Sequence, residues 1–303
     1  MTPDVSVVVP TYNRAAFLAE SLGSVLAQEG VALELIVVDD GSTDDTAVVV
    51  AGLRDPRIRL LARPHAGIAA ARNAGLAAAR APYVAFHDSD DLALPGRLAV
   101  PVEFLRTHPA IDLVIQNGRL LPPEGEGGAE KPWVAPAVAH ALARRPIGWL
   151  EVFRWNLGQL QGMCFTRRSL DAAGPFDTTL AILDDLDLVL RVTVHAAAVF
   201  LDVPAFAYRR HPAGVARDRS RVREESIRVA DKLAREHPEL LDVIGRSRFV
   251  RRQARRYARL ALLRARAGDV RGARAALAEA RRLRPGNLAY RLRALWLALN
   301  PPR

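Results

Sequence analysis

The chain has 303 residues, and half of them are hydrophobic, which is enough to bury the core of one large domain or of two smaller ones. A single cysteine excludes an intrachain disulfide and disfavours a zinc cluster. The sequence shows neither a signal-peptide pattern nor an apolar run of about 20 residues, so we expect a cytoplasmic protein. The net charge of +10 is uneven, because residues 216–303 hold 24 basic and 9 acidic side chains whereas residues 1–215 hold 19 and 24.

Short apolar runs rich in β-branched residues predict strands along the first part of the chain, at 5–9, 33–38, 58–62, 83–86 and 111–115. Helical spacing separates them, most clearly at 17–26 and in the alanine-rich stretch 67–80. Pro95 suits the first turn of a further helix. Strands that alternate with helices indicate an α/β domain with a mostly parallel sheet.

The later predicted elements are two strands at 161–166 and 199–208 and a helix at 184–195. Beyond residue 216 only helical patterns remain, and they break at Pro238, at 268–269 and at 285–286. We therefore predict two regions, an α/β domain at 1–215 and a basic, arginine-rich helical region at 216–303.

Aspartates stand where this arrangement of strands would place a ligand. Asp39 and Asp40 close one predicted strand, the segment 88–91 closes another, and Asp184 and Asp185 open a helix. Open α/β sheets bind their ligands at the carboxyl ends of the strands. Carboxylates in one crevice repel one another unless a cation neutralises them. The pattern therefore predicts a divalent metal and a phosphorylated ligand.

Six segments in a fixed order resemble the family 2 glycosyltransferases, whose catalytic domain has the GT-A fold. They are residues 5–14, 38–44, 70–75, 87–91, 174–177 and 184–188, and the resemblance covers residues 4–215. It implies a nucleotide-diphospho-sugar transferase with a Rossmann-like, mostly parallel sheet flanked by helices. It also implies a metal-dependent single displacement that inverts the configuration of the sugar carbon.

The segment 88–91 resembles the DxD motif of this family. The resemblance makes Asp90 and Asp91 the expected ligands of Mn²⁺ or Mg²⁺, and it places Asp88 and Ser89 against the nucleotide. Carboxylate oxygens suit these cations, whose charge would stabilise a departing diphosphate. His211 is a further candidate ligand, because it lies in a segment that resembles a loop closing over the diphosphate. Without the resemblance, an acidic turn that caps the next helix is the alternative.

The nucleotide pocket is expected at the ends of the first two strands. Asp40 resembles the residue that binds the base, and a carboxylate can accept from the imide N–H of uracil, which cytosine lacks, so a UDP-linked donor is favoured. Arg72 resembles an arginine that reaches the nucleotide, and a guanidinium suits phosphate oxygens. A turn with a helix cap is the alternative for 39–40. The other expected pocket residues are Pro10, Thr11, Tyr12 and Asp39.

Asp185 is the expected general base. A sugar hydroxyl is a poor nucleophile, so a carboxylate must take its proton as the new bond forms. The family carries Glu-Asp at this point and this chain carries Asp184 before Asp185, which leaves open which of the two is the base. Acids that complement a helix dipole are the alternative. The segment 161–163 with Trp149 or Trp155 is a candidate acceptor site, against a core role for each tryptophan.

The basic region contains a stretch, 262–287, that resembles one tetratricopeptide-like helical hairpin. One such repeat cannot bury its own face, so it should pack on the catalytic domain or on a partner. A solvated basic helical face is one reading of its charge. Peripheral contact with the inner face of the cytoplasmic membrane is another, through arginines and apolar residues, and nucleic acid is the least expected partner. The apolar residues concerned are Leu292, Leu295, Trp296 and Leu299.

The leading hypothesis is a family 2 hexosyltransferase. It would move a sugar from a nucleoside-diphosphate donor, with UDP favoured, to a hydroxyl of a glycan or lipid-linked acceptor in envelope or extracellular polysaccharide synthesis. A nucleotidyltransferase of similar fold is one alternative, although no glycine-rich phosphate loop follows the first strand. A non-catalytic scaffold that binds partners through its helical tail is the other.

Overall fold

A computed structural model describes residues 2–122, 129–209 and 218–299, with side chains described up to residue 293. The chain divides into two compact units, Met1–Ala213 and Gly214–Arg303. Both this division and the boundary predicted at 215/216 fall within 210–217, outside the described residues, and so does the candidate ligand His211.

Four parallel strands form the first half of the sheet in the first unit, in the spatial order β3-β2-β1-β4. Every residue of β1 and β2 is buried, because helices cover both faces of the sheet. The carboxyl ends of these strands therefore meet at one edge. The elements are β1 (Val5–Thr11), α1 (Ala15–Leu26), β2 (Leu33–Asp39), α2 (Thr46–Gly52), β3 (Ile58–Ala62), α3 (Ile68–Ala78) and β4 (Tyr83–Phe86).

The second half of the sheet is mixed. Its strands continue the order as β4-β8-β6-β9-β5, where β6 and β9 are parallel and the β4–β8, β8–β6 and β9–β5 pairs are antiparallel. The predicted α/β sheet with flanking helices is confirmed, but the continuous run of parallel strands ends at β4, and β6–β9 is the one parallel pair described beyond it. These elements are β5 (Leu92–Ala93), α4 (Ala99–Thr107), β6 (Leu113–Leu120), β7 (Lys131–Pro132), α5 (Pro136–Leu142), α6 (Trp149–Trp155), β8 (Met163–Thr166), α7 (Arg167–Ala173), α8 (Asp184–His195) and β9 (Ala198–Tyr208).

Two predicted boundaries are wrong by more than two residues. Pro95 does not open a helix, because Gly96 follows it with φ at 79°, a left-handed conformation that an α-helix excludes, and α4 begins only at Ala99. The strand expected at 111–115 runs instead from Leu113 to Leu120. Polar residues at 116 and 117 hid its second half, although both are buried between neighbouring strands.

Helix α3 lies unusually close to the sheet. A Cβ atom on Gly75 would stand 2.3 Å from Cγ1 of Val8 on β1 and 3.1 Å from Cγ2 of Val38 on β2. Only glycine permits this approach, since a methyl group there would overlap both valines. The close contact fixes the position of Arg72, which lies almost one turn before Gly75 on the same helix.

The second unit is helical in its described part, as predicted for the basic region. Helices α11 and α12 pack through alanines such as Ala258 and Ala273, and Gly268 turns the chain between them with φ at 80°. Among the described residues, no helix is both long and apolar enough to cross a bilayer. The helices are α9 (Arg219–Glu236), α10 (Leu240–Ile244), α11 (Arg246–Arg266), α12 (Val270–Leu283) and α13 (Leu288–Leu299).

Candidate active site

A buried arginine joins the end of β4 to the start of α8. Nη2 of Arg72 donates to Oδ1 of Asp88 over 3.1 Å, and Nη1 donates to Oδ2 of Asp184 over 2.8 Å. Arg72 is only 4% exposed. The fold thus brings together three predicted site residues that are 16 and 112 positions apart in the chain.

The two aspartates that open α8 have different surroundings. Asp184 is 1% exposed and tied to Arg72, and its second oxygen, Oδ1, has no hydrogen-bond partner in the described part of the chain. Asp185 is less buried and accepts from the backbone N–H of Leu186 over 2.6 Å. Burial and the charge of Asp184 raise the pKa of Asp185 to about 8, although Arg72 opposes the shift. Asp185 is therefore the more accessible of the two carboxylates, and its pKa lies well above the ordinary value for an aspartate.

The carboxylates of the turn at 88–91 differ in their exposure to solvent. The side chains of Asp88 and Asp90 are 27% and 20% exposed, and Nε of Arg14 lies 3.3 Å from Oδ2 of Asp90. Asp91 is fully buried, and its two oxygens accept from Nε2 of Gln161 over 2.7 Å and from the backbone N–H of Arg209 over 2.9 Å. Asp91 therefore ties this turn to two later segments, while Asp88 and Asp90 reach the surface.

The residues present fit a divalent cation completed by phosphate oxygens. Within 2–122, 129–209 and 218–293, no three His, Cys, Asp or Glu side chains form a complete metal cage. Mg²⁺ and Mn²⁺ need only one or two protein carboxylates when a phosphorylated ligand supplies the rest. Burial, opposed by Arg72, and the charge of Asp90 raise the pKa of Asp88, as expected of a carboxylate crowded by other acids. A cation at Asp88 and Asp90 would relieve that crowding.

Asp40 is bonded to the protein's own donors at the end of β2. Its carboxylate accepts from the backbone N–H groups of Ala66 and Gly67 over 3.1 and 2.7 Å, at the start of α3. Nδ1 of His65 lies 2.8 Å from Oδ2, and Nε of Arg63 lies 3.4 Å from Oδ1. The carboxylate thus orders the loop that leads into α3, and its expected contact with a base stays a prediction.

An aromatic pair lies beside this loop. The rings of Tyr12 and His65 stack with their centroids 4.2 Å apart and their planes 25° from parallel, and Tyr12 is 41% exposed. A flat aromatic surface suits a nucleotide base. His65 was not among the residues predicted from the sequence, because its contacts with Tyr12 and Asp40 depend on the tertiary fold.

Most of the remaining predicted site residues are buried or bonded to other parts of the protein. Oδ1 of Asp39 accepts from the backbone N–H of Ser42 over 2.9 Å, which fixes the turn after β2. Pro10, Thr11 and Ser89 are buried, and Oγ1 of Thr11 has no hydrogen-bond partner in the part of the chain that is described. The acceptor candidates are Gln161 and Met163, which are buried, and Trp149 and Trp155, of which Trp155 is exposed.

Asn73 links helix α3 to the turn at 174–177, which is another of the six segments that resemble the family. Its side chain exchanges two hydrogen bonds with the backbone of Phe176, from Nδ2 to the carbonyl over 3.0 Å and from the N–H of Phe176 to Oδ1 over 2.8 Å. The Phe176 ring lies under the guanidinium of Arg72, 5.7 Å from ring centroid to Cζ. The turn at 174–177 therefore supports Arg72 and stands close to the acidic cluster.

Solved structures with a similar fold include two glycosyltransferases with bound nucleotide sugars. Residues 1–349 of S. aureus TarS, in complex with UDP-GlcNAc, superpose with a TM-score of 0.65 at 18% identity, over 92% of this chain and 82% of that fragment. The mannosyltransferase PcManGT of Pyrobaculum calidifontis, in complex with GDP-Man and Mn²⁺, gives a TM-score of 0.60 at 21% identity, over 100% and 82%. The predicted GT-A fold is confirmed.

Sequence relatives fall into biosynthetic and uncharacterised proteins. The succinoglycan biosynthesis protein ExoO of Rhizobium meliloti is 43% identical over 102 residues, which are 33% of this chain and 29% of that protein. The UDP-Glc:alpha-D-GlcNAc-diphosphoundecaprenol beta-1,3-glucosyltransferase WfgD of Escherichia coli is 38% identical over 33% of this chain and 40% of its own length. An uncharacterised protein of Mycobacterium tuberculosis, MT1568, is 30% identical over 76% of this chain and 73% of its own.

The match to ExoO spans less than a third of that protein, so the relatives' names do not transfer their substrates. A family comparison covers more of this chain. The sequence model of glycosyl transferase family 2 matches residues 6–169, which is just over half of the 303 residues and includes β1 to β8. The protein belongs to glycosyl transferase family 2.

Proposed function

We propose that the protein transfers a sugar from a nucleoside-diphosphate donor to a hydroxyl of a glycan or lipid-linked acceptor, with inversion at the sugar carbon. The observation that carries the proposal is the double ion pair of Arg72. It holds Asp88, at the predicted donor end of the site, and Asp184, next to the predicted base, in one ion-pair cluster. A donor site and a base must share one crevice for a single displacement.

Asp185 is the proposed general base. Its carboxylate is more accessible than that of Asp184, and its raised pKa makes it a better proton acceptor than an ordinary aspartate. Asp184 is paired with Arg72 at 2.8 Å, and its charge helps to raise the pKa of Asp185. Asp185 would take the proton of the acceptor hydroxyl as the oxygen attacks the sugar carbon and the bond to the diphosphate breaks.

Asp90 and Asp88 are the proposed holders of Mg²⁺ or Mn²⁺. The bound cation supplies positive charge that stabilises the departing diphosphate. Asp91 contributes indirectly, because its bonds to Gln161 and to the backbone of Arg209 hold the turn in which Asp88 and Asp90 stand. His211, outside the described residues, remains a candidate ligand from sequence alone.

A UDP-linked donor is favoured among the nucleotide sugars. TarS binds UDP-GlcNAc, and the name of WfgD specifies a UDP-glucose donor and a diphosphoundecaprenol acceptor. PcManGT binds GDP-Man, so the shared fold accepts more than one nucleotide. We place the reaction in the synthesis of an envelope or extracellular polysaccharide, at the cytoplasmic side of a membrane that the basic second unit would contact peripherally.

Calorimetric titration of UDP, GDP, dTDP and CDP, each with Mn²⁺ and again with a chelator, tests the donor and the metal together. We expect UDP to bind most tightly and the chelator to weaken its binding at least tenfold. Tightest binding of another nucleotide would mean that the donor sugar is linked to that nucleotide instead of UDP. Failure of a folded sample to bind any of the four would contradict the transferase proposal and favour a non-catalytic scaffold.

A further inference from the structure

Helices α9 and α11 of the second unit pack antiparallel, and two polar contacts fix their register. Nε2 of Gln253 donates to the carbonyl of Ile227 over 3.3 Å and to Oδ1 of Asp231 over 2.6 Å. Further along α11, Nη2 of Arg264 donates to Oε2 of Glu224 over 2.8 Å. The part of α11 between these contacts therefore faces the first half of α9.

Arginines line both sides of this contact. Arg219 and Arg223 are four residues apart on α9, so they share one face of the helix. Helical spacing also puts Arg252, Arg256 and Arg259 along one side of α11. Arg223 interacts electrostatically with Arg219, Arg256 and Arg259. We call these five residues the arginine cluster.

Three acids on α9 each have a partner outside the arginine cluster. Glu224 pairs with Arg264, and Glu225 lies 3.5 Å from Arg221. Asp231, the acid that attracts Arg256, accepts from Gln253. Over the described ranges, Arg219, Arg223 and Arg259 form no ion pair with any carboxylate, so no described acid neutralises their charges directly.

One guanidinium nitrogen of the cluster is buried without a partner. Nε of Arg223 has no hydrogen-bond acceptor among the described residues. Burial and the charges of Arg259 and Arg219 lower the pKa of Arg223. Burial and the charges of Arg252 and Arg223 likewise lower the pKa of Arg256 to about 10. An unpaired buried donor and like charges both cost stability, and a bound anion would offset the repulsion between the like charges.

We propose that the arginine cluster is a binding site for a phosphate-bearing anion, either a phosphate monoester or a diphosphate. Guanidinium groups match phosphate oxygens through paired N–H donors, and several of them together suit a ligand with two or more negative charges. This site lies in the second unit and does not depend on the proposed transferase activity. The phosphate can belong to a lipid headgroup or to a soluble molecule, since both offer the same oxygens.

Pyrophosphate is the soluble probe, and calorimetry of the full chain in the presence of a chelator measures its binding. The test variant is R223Q/R259Q. The control is R246Q/R282Q, which also removes two positive charges from the second unit. Its arginines lie outside the arginine cluster, where Arg246 pairs with Asp242 and Arg282 pairs with Glu279. We expect wild type and control to bind alike and the test variant to bind at least tenfold more weakly. Equal binding by all three proteins, or equal loss in both variants, would show that pyrophosphate does not bind at the arginine cluster.

Vesicles identify the source of the phosphate. Co-sedimentation with phosphatidylcholine vesicles, with and without phosphatidic acid, is measured for the same three proteins. If only phosphatidic acid vesicles bind the wild type and control, and the test variant loses that binding, a lipid headgroup is the ligand. If pyrophosphate alone shows the difference, the ligand is soluble. If neither probe separates the test variant from the control, the proposal is overturned.

A third variant controls for misfolding of the test variant. R223K/R259K keeps both charges but loses the paired N–H donors of the guanidinium group. We expect it to unfold at the wild-type temperature and to bind the responsive probe more weakly than the control variant does. Wild-type affinity in this variant would show that bulk positive charge, rather than a built arginine site, attracts the anion.

Discussion

Arg72 and Asp184 form an ion pair of 2.8 Å between α3 and α8, with both side chains almost excluded from solvent. A buried charge is costly unless it is paired, so this contact holds the helix that carries Asp185 in a fixed position against the sheet. The second nitrogen of the same guanidinium binds Asp88. One side chain therefore sets the relative position of the proposed base and of the proposed cation site.

Replacing Arg72 by methionine should damage both stability and activity. The change keeps most of the volume but leaves Asp184 buried without its cation, which typically costs about 3–5 kcal/mol of unfolding free energy. The double variant R72M/D184N should recover part of that loss, because the deeply buried position 184 then carries no charge, while kcat/KM stays at least about 100-fold below wild type. Urea unfolding and steady-state kinetics measure the two effects.

An exposed ion pair provides the comparison for Arg72. Arg106 pairs with Asp4 at the surface of the same unit, with about half of the Arg106 side chain exposed. R106M should change the unfolding free energy by less than about 1 kcal/mol. Similar losses for R72M and R106M would show that the buried pair does not anchor the site.

Changing Asp185 to asparagine should remove most of the catalytic rate and leave nucleotide binding intact. A positioned general base is worth about 10²–10⁴ in rate, so we expect kcat to fall within that range while the affinity for UDP stays within about twofold. Because a base acts only when ionised, wild-type kcat/KM should rise with pH through the pKa of Asp185, which is about 8 in the free protein. Full turnover by D185N would show that another group accepts the proton.

The two aspartates of α8 should have opposite effects on stability. The pKa of Asp185 lies above its ordinary value of 3.8, so between about pH 4 and pH 8 the folded protein keeps a proton that the unfolded chain releases. Stability from this group therefore falls as the pH rises through that range. D185N should remove that loss and raise the unfolding free energy at pH 8 by roughly 1–3 kcal/mol, whereas D184N should lower it, because Arg72 loses its partner. Thermal unfolding across pH separates the two variants.

Much of the fold could be predicted because its strands are short apolar runs between polar residues. The predicted bounds of β3, β4 and α8 agree with the structure. The antiparallel strands β6 and β8 could not be ordered from sequence, since an apolar run does not reveal its neighbours. The extension of β6 through Gln116 and Asn117 escaped prediction because burial between strands overrides the polar character of both residues.

The site was predicted at the level of segments rather than contacts. The carboxylates were expected to share a crevice, and Arg72 does join Asp88 to Asp184. The bond from Gln161 to Asp91 joins residues 70 positions apart, and the contacts of Asp40 with the loop before α3 span 26 and 27 positions. Such pairings depend on how α3 and β8 dock on the sheet, which no local pattern specifies.

Asp90 and Asp91 should differ when each is replaced. D90N should weaken Mn²⁺-dependent binding of UDP at least about tenfold and leave stability nearly unchanged, because its side chain is partly exposed. D91A should leave the donors of Gln161 and Arg209 unpaired in the interior, which costs about 2–4 kcal/mol of unfolding free energy. Calorimetry and urea unfolding distinguish the two. Loss of metal dependence in D91A, at a temperature where it is folded, would make Asp91 a ligand.

Gly75 should tolerate no side chain, because α3 lies against β1 at this point. In G75A the added methyl group would stand 2.3 Å from Cγ1 of Val8, so the helix or the strand must shift. Overpacking of this kind costs about 1–3 kcal/mol, and a shift of α3 should also lower kcat/KM by moving Arg72. G23A is the matched control, since nothing lies within 4 Å of a Cβ at that position in α1, and alanine there should stabilise the helix by about 0.5–1 kcal/mol. If urea unfolding shows G75A to be as stable as G23A, α3 does not hold Arg72 through this contact.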